Sequence, residues 1–168
     1  MKIKFLPYDK FEIRTQKSMD ELYFLLSSSI EPSNIFFPSN IFFQSHQGIF
    51  RGKLTGQSFK IYRIINYGNS FLPVIKGKIK PSDNGFIIDL YSRLCIFSMI
   101  FMSVWMSFAL FFFILGLFYL IKQGNPVLFI MTIPFLCFGW ILSSGLFWVE
   151  EYKARKILLD LFDGEIFD

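Results

Sequence analysis

The chain carries little with which to do covalent or metal chemistry. It has two cysteines and one histidine in 168 residues, too few for a disulfide scaffold. Cys95 and Cys137 both fall inside long apolar runs, where they read as packed or lipid-facing apolar side chains. His46 stands alone in SHQG and reads as a solvated turn residue. The sequence holds no Gly-rich phosphate loop, nucleophile elbow or metal-ligand cluster. Asp83 and Asp89 have no paired carboxylate near them for acid and base roles. These absences argue against an enzyme, and no cofactor or metal is expected.

Charge is missing from two long stretches. Leu94 to Ile121 runs 28 residues without a charged side chain, and Pro126 to Val149 runs 24 more. Each exceeds the roughly 20 apolar residues needed to cross a bilayer core. The break at 122–125 is long enough only for a tight loop, so the two helices form an antiparallel transmembrane hairpin. An ion or proton path would need ionisable residues inside these stretches, and there are none. Of the 17 Lys and Arg residues, thirteen precede the hairpin, Lys122 lies in its loop, and Lys153, Arg155 and Lys156 follow it. Basic residues are retained on the cytoplasmic side, so both termini are expected there. The opening MKIKFLPYDKFE lacks the apolar core of a cleaved signal, so the first helix acts as its own insertion signal. The organisation read from this is a cytoplasmic domain at 1–93, a hairpin at 94–149 (helices 94–121 and 126–149, loop 122–125) and a cytoplasmic amphipathic helix at 150–168.

Within the first part, Phe11 to Thr15 alternates as a short strand. Ser18 with Glu21 has the capping-box spacing that opens a helix, and Glu31-Pro32 stops it. Four strand-like runs follow: GIFRGKLTG, QSFKIYRIIN, FLPVIKGKIK and GFIIDLYSR. Turn clusters at 55–56, 67–70 and 81–85 separate them, which predicts an antiparallel meander. In the tail, Ala154, Ile157, Leu158 and Leu161 recur at helical spacing. The predicted fold class is therefore an α+β membrane protein: a small antiparallel sheet, one N-terminal helix, the hairpin, and a C-terminal amphipathic helix packing on the sheet. That element order is helix-grip-like, with an apolar cavity between the last helix and the sheet. The repeat SNIFFP and SNIFFQ (33–44) admits three readings: a tolerant loop, phenylalanines dipping into the lipid interface, or a cover for the core.

Acidic residues are absent from 32 to 82, where Arg51, Lys53, Lys60, Arg63, Lys76, Lys78 and Lys80 all fall. Lys76, Lys78 and Lys80 are two apart, so one strand face presents them while Ile75, Gly77 and Ile79 take the other. Such a face either docks on an anionic leaflet, at up to ~1 kcal/mol per charge, or is solvated and only satisfies the insertion rule. Aliphatic residues interleave with the lysines and no nucleic-acid motif is visible, so nucleic acid is not expected as a partner. A small-residue pair on each predicted membrane helix, Ser103 with Ser107 and Gly139 with Ser143, is expected to pack the hairpin or to meet a membrane protein partner.

The stretch SFKIYRIINYGNSFLPVIKGKI (58–79), followed by a hairpin and a charged tail, resembles a family of small uncharacterised bacterial membrane proteins frequent in cyanobacteria. In that family a strand ending in an aromatic residue leads to Arg-Asn-Ser-Phe-Leu-Pro. Gly68 stands in place of the Arg, while Asn69, Ser70, Phe71, Leu72 and Pro73 match. The resemblance implies a β-rich cytoplasmic domain on a plasma or thylakoid membrane, and no activity comes with it. Arg63, Tyr67, Asn69 and Ser70 gather hydrogen-bonding groups in one turn beside a basic strand. They join Arg51, Lys53, Lys76, Lys78 and Lys80 as the candidate binding residues. The expected role is a non-enzymatic, membrane-anchored binding module for an anionic lipid headgroup, a hydrophobic ligand or a membrane protein partner. The alternative is an accessory subunit docking through its hairpin.

Overall fold

The computed structural model of the chain describes residues 6–33 and 48–167. His46 and all of the repeat after Ser33 lie outside the described residues. The element order is β1 (Tyr8–Thr15), α1 (Met19–Ser29), β2 (Ile30–Pro32), β3 (Phe50–Thr55), β4 (Ser58–Arg63), β5 (Pro73–Ser82), β6 (Gly85–Leu94), α2 (Ile96–Gln123), α3 (Val127–Phe162) and β7 (Glu165–Phe167). The strands form one sheet of seven in the order β2-β3-β4-β5-β6-β1-β7. The expected meander is its centre, β3 to β6. The sheet is larger than predicted and mixed, because β2 adds in parallel to β3 while β1 and β7 extend the β6 side antiparallel.

Local chemistry sets these elements. Ser18 and Glu21 form the capping box: the Ser18 hydroxyl accepts the Glu21 N–H at 3.3 Å, and the Glu21 carboxylate accepts the Ser18 N–H at 2.9 Å. Gly124, left-handed at φ 67°, ends α2, and the Asn125 side chain accepts the Val127 N–H at 3.1 Å to start α3. Both long helices are apolar and long enough to cross a membrane.

The division drawn at 149/150 falls inside one continuous helix. α3 has 36 residues, a length of about 54 Å at 1.5 Å per residue. Pro134 lies within its first half. Its last turns lay Ala154, Leu158 and Phe162 on the sheet, where they join Phe11, Ile13 and Phe59 in the main core. The region between helix and sheet is filled rather than hollow: Phe50, Phe59, Phe162 and Ile61 are all 3% exposed or less. This departs from the cavity a helix-grip fold would keep. Gly77 is what allows the close fit, since a Cβ there would collide with the Phe59 ring.

The α2–α3 seam meets expectation on α3, where Gly139 and Ser143 are buried, and departs from it on α2. Ser103 and Ser107 are exposed, and their hydroxyls bond back to the carbonyls of Met99 and Ser103 at 2.8 Å each. The seam runs instead along Trp105, Ala109, Phe113 and Gly116, spaced four, four and three apart on one helical face. Trp105 stacks on Phe135 with centroids 4.4 Å apart and also covers Gly139. Phe113 meets Phe129 at 5.0 Å.

α3 runs along β1 in the same sense. Near the base of the sheet Arg155 pairs with Asp9, and at the far end the Thr15 hydroxyl donates to the Phe162 carbonyl at 2.7 Å. The strands therefore stand along the long helix with their ends, not a face, toward the apolar hairpin.

Candidate functional site

One face of the sheet is covered by α1 and α3, and among the described residues the other is open. On the open face, Lys53 lies directly opposite Lys60, Lys60 opposite Lys76, Lys76 opposite Tyr91, and Tyr91 opposite Lys10. This row crosses five strands. Lys78 stands in the next row, opposite Ser58 on one side and Asp89 on the other. Together these residues line a groove of about 660 Å³. Like charges directly opposite on neighbouring strands repel. Among the described residues, none of the five groove lysines has an ion-pair partner. Asp89, the one carboxylate lining the groove among the described residues, is held by Lys80 at 2.5 Å. That bond raises the Lys80 pKa from its ordinary value. Tyr91 is half-buried, with the Tyr8 ring edge-on to it at 4.8 Å.

Lys76, Lys78 and Lys80 do share the open face, and Ile75, Gly77 and Ile79 are buried on the other. The interleaved aliphatics thus say nothing about what the lysine face takes. Heights differ along β5. Pro73 pairs with Leu94 at the foot of α2, so a rise of ~3.3 Å per residue puts Lys76 about 10 Å and Lys80 about 23 Å above that level. A Debye length of ~8 Å measured from that level ends just short of Lys76 and far short of Lys80.

The seven basic residues of the acid-free stretch are not all uncompensated. Lys80 has Asp89. Arg51 is paired with Glu31 at 3.1 Å, and the same carboxylate accepts the Gly48 N–H at 2.9 Å. Arg63 is turned to the helix side, where its Nε donates to Glu150 at 3.0 Å. The Tyr67 hydroxyl donates to the same carboxylate, and Lys153 reaches it at 3.0 Å. Glu150 is 1% exposed. Burial alone would push its pKa up, but the hydrogen bonds from Tyr67, Arg63 and Lys153 outweigh this and hold it below the ordinary value.

Asn69 and Ser70 also belong to a joint rather than to the groove. The Asn69 side chain accepts the Phe71 N–H at 2.9 Å and donates to the Leu146 carbonyl at 3.5 Å, while the Ser98 hydroxyl donates to the Ser70 carbonyl. This turn seats Phe71 against Leu94, Phe147 and Trp148. The motif Asn-Ser-Phe-Leu-Pro thus fastens the sheet to the base of both long helices. Of the nine expected binding residues, Lys53, Lys76 and Lys78 meet in the groove and the other six do not.

Sequence reasoning counted Lys60 among the basic residues but left it out of the binding set, and it missed Lys10 and Tyr91 in the groove and Glu150, Glu151, Asp9 and Arg155 in the joint. Glu151 is 3% exposed and is bonded by Arg155 at 3.3 Å. A carboxylate pair next to an apolar helix, each with a basic residue three or four places on, was the available signal. No family model, curated protein or solved structure matched this chain in comparison.

Proposed function

We propose that the chain is a membrane-anchored, non-enzymatic binding module that holds an anionic ligand on the open face of its cytoplasmic sheet. The observation that carries this reading is the register of Lys53, Lys60 and Lys76. Three ammonium groups on adjacent strands repel one another unless an anion lies among them. The anchor is the α2–α3 pair, whose Phe, Ile and Leu side chains are widely exposed and call for lipid around them. The filled interior favours an anion on the open face over an apolar ligand inside.

The test is thermal unfolding of the full chain in nanodiscs of zwitterionic lipid, with sulfate or phosphate against chloride at matched ionic strength. A ligand that binds only the folded state raises the midpoint. We expect phosphate to do so, and the triple substitution Lys53→Gln, Lys60→Gln, Lys76→Gln to remove the rise. Equal midpoints in all anions would overturn the reading.

A second reading, an accessory subunit docking through the hairpin, rests on a groove of about 580 Å³ lined by Leu94, Met102, Met106, Cys137, Trp140 and Ser144. The buried Ser144 hydroxyl has no hydrogen-bond partner among the described residues. Filling the groove with Ser143→Leu should release any protein that co-purifies in native mass spectrometry. Unchanged co-purification would remove this reading.

A further inference from the structure

We infer that the lysine groove takes a ring-bearing ligand with a chain of two or more phosphates. This rests on the anion-binding reading above and sharpens it.

The spread of charge sets the number of anionic groups. Neighbouring strands lie ~4.8 Å apart, so Lys53 and Lys76 are separated by about 10 Å across β4 in that row. A single tetrahedral anion spans one such gap and leaves the other unneutralised. A chain of linked phosphates meets Lys76, Lys60 and Lys53 in turn.

The kind of cation sets the kind of anion. Among the described residues, all five cations lining the groove are lysines. Lysine is a compact point charge suited to phosphate oxygens, whereas planar two-point recognition of carboxylates favours arginine. Arg51, the nearby arginine on β3, is engaged by Glu31. The hydroxyl side chains Thr55 and Ser58 also line the groove and can donate to phosphate.

Tyr91 follows Lys76 in the row. Its ring, braced by Tyr8, gives a flat apolar surface where the lysines stop, with Lys10 beyond it. A base or sugar ring against Tyr91 would send its phosphates over Lys76 and Lys60 toward Lys53. A nucleoside polyphosphate has this chemistry, and so does a lipid-linked sugar diphosphate rising from the membrane beneath.

The experiment is calorimetric titration of the full chain in zwitterionic nanodiscs at fixed ionic strength, with orthophosphate, pyrophosphate, tripolyphosphate and ATP. Affinity is expected to rise about tenfold or more from orthophosphate to tripolyphosphate, which is ~1.4 kcal/mol or more. The pair Lys60→Gln, Lys76→Gln should abolish it, and Lys156→Gln, outside the groove, should leave it intact. ATP should bind more tightly than tripolyphosphate in the wild type and equally in Tyr91→Ala. If orthophosphate binds as well as tripolyphosphate, the phosphate chain is wrong while the anion site stands. If Tyr91→Ala keeps the ATP advantage, the ring assignment is wrong. Repeating the titration with a sugar-diphosphate lipid in the nanodisc separates the sources. Loss of tripolyphosphate binding identifies the lipid, undiminished binding identifies a soluble ligand, and both uphold the phosphate chain.

Discussion

Replacing a surface lysine in the middle of a sheet usually does little, but Lys60→Gln should make this protein more stable. Lys60 faces Lys53 on one side and Lys76 on the other. A like-charge pair directly opposite costs on the order of 0.2–1 kcal/mol, so removing the central member relieves two pairs, or about 0.5–2 kcal/mol. Coulomb's law in water gives the same order, ~0.7 kcal/mol for ammonium groups ~6 Å apart. At roughly 3–6 °C per kcal/mol for a domain of this size, the unfolding midpoint should rise by a few degrees. The measurement is tryptophan-fluorescence thermal unfolding in nanodiscs, in chloride buffer free of multivalent anions. Screening makes the sign testable twice. The gain should be largest at 20 mM salt and nearly gone at 1 M, where the Debye length is ~3 Å. Lys60→Arg keeps the charge and should show no gain. If Lys60→Gln is neutral or destabilising at low salt, the lysines do not repel across the strands and the argument for an anion between them fails.

Four further outcomes are expected. Glu150→Ala leaves Arg63 beside an empty buried position and should cost about 3–5 kcal/mol, read as a drop in the unfolding midpoint; retention of the wild-type midpoint would mean the joint is not structural. Because the folded pKa of Glu150 is depressed, its contribution is present above the ordinary value of 4.5 and is lost as pH falls through the depressed value. A midpoint-against-pH curve should therefore fall more steeply in the wild type than in Glu150→Gln as pH drops from 4.5 to the depressed value, and run parallel to it below that. Leu158→Ala, at a position with 0% exposure in the main core, should cost about 2–5 kcal/mol, and Gly139→Leu should part α2 from α3, because even a Cβ there lies 2.7 Å from the Trp105 indole nitrogen, visible as a red shift in tryptophan emission.

Much of the fold was legible where the determinants are local. The capping box at Ser18, the alternation of Lys76, Lys78 and Lys80 with Ile75, Gly77 and Ile79, and the uncharged stretches each specify their element within a few residues. The register that makes the groove was half legible. The short turn at Gly56-Gln57 sets Thr55 opposite Ser58 and thereby Lys53 opposite Lys60. Lys60 opposite Lys76 depends on the longer connection at 64–72, whose length fixes no register. β2 and β7 have three residues each, and pairing rather than sequence pattern makes them strands. Asp9 and Arg63 find their partners on α3 more than 80 positions away, a relation no spacing rule carries. The polar turn at Tyr67 to Ser70 drew attention as a site because hydrogen-bonding groups gathered there; they gather to satisfy a buried carboxylate and a helix base.

The unbroken course of α3 from the hairpin loop to the last core residue has a mechanical meaning. With no flexible linker between the two ends, the helix acts as a lever, and a change in tilt of its apolar half moves Ala154, Leu158 and Phe162 with it. The Asn69 turn clamps the sheet to the fulcrum at Leu146 to Trp148. Any displacement of the hairpin would thereby be transmitted to the strands as a rotation, turning the lysine rows with it.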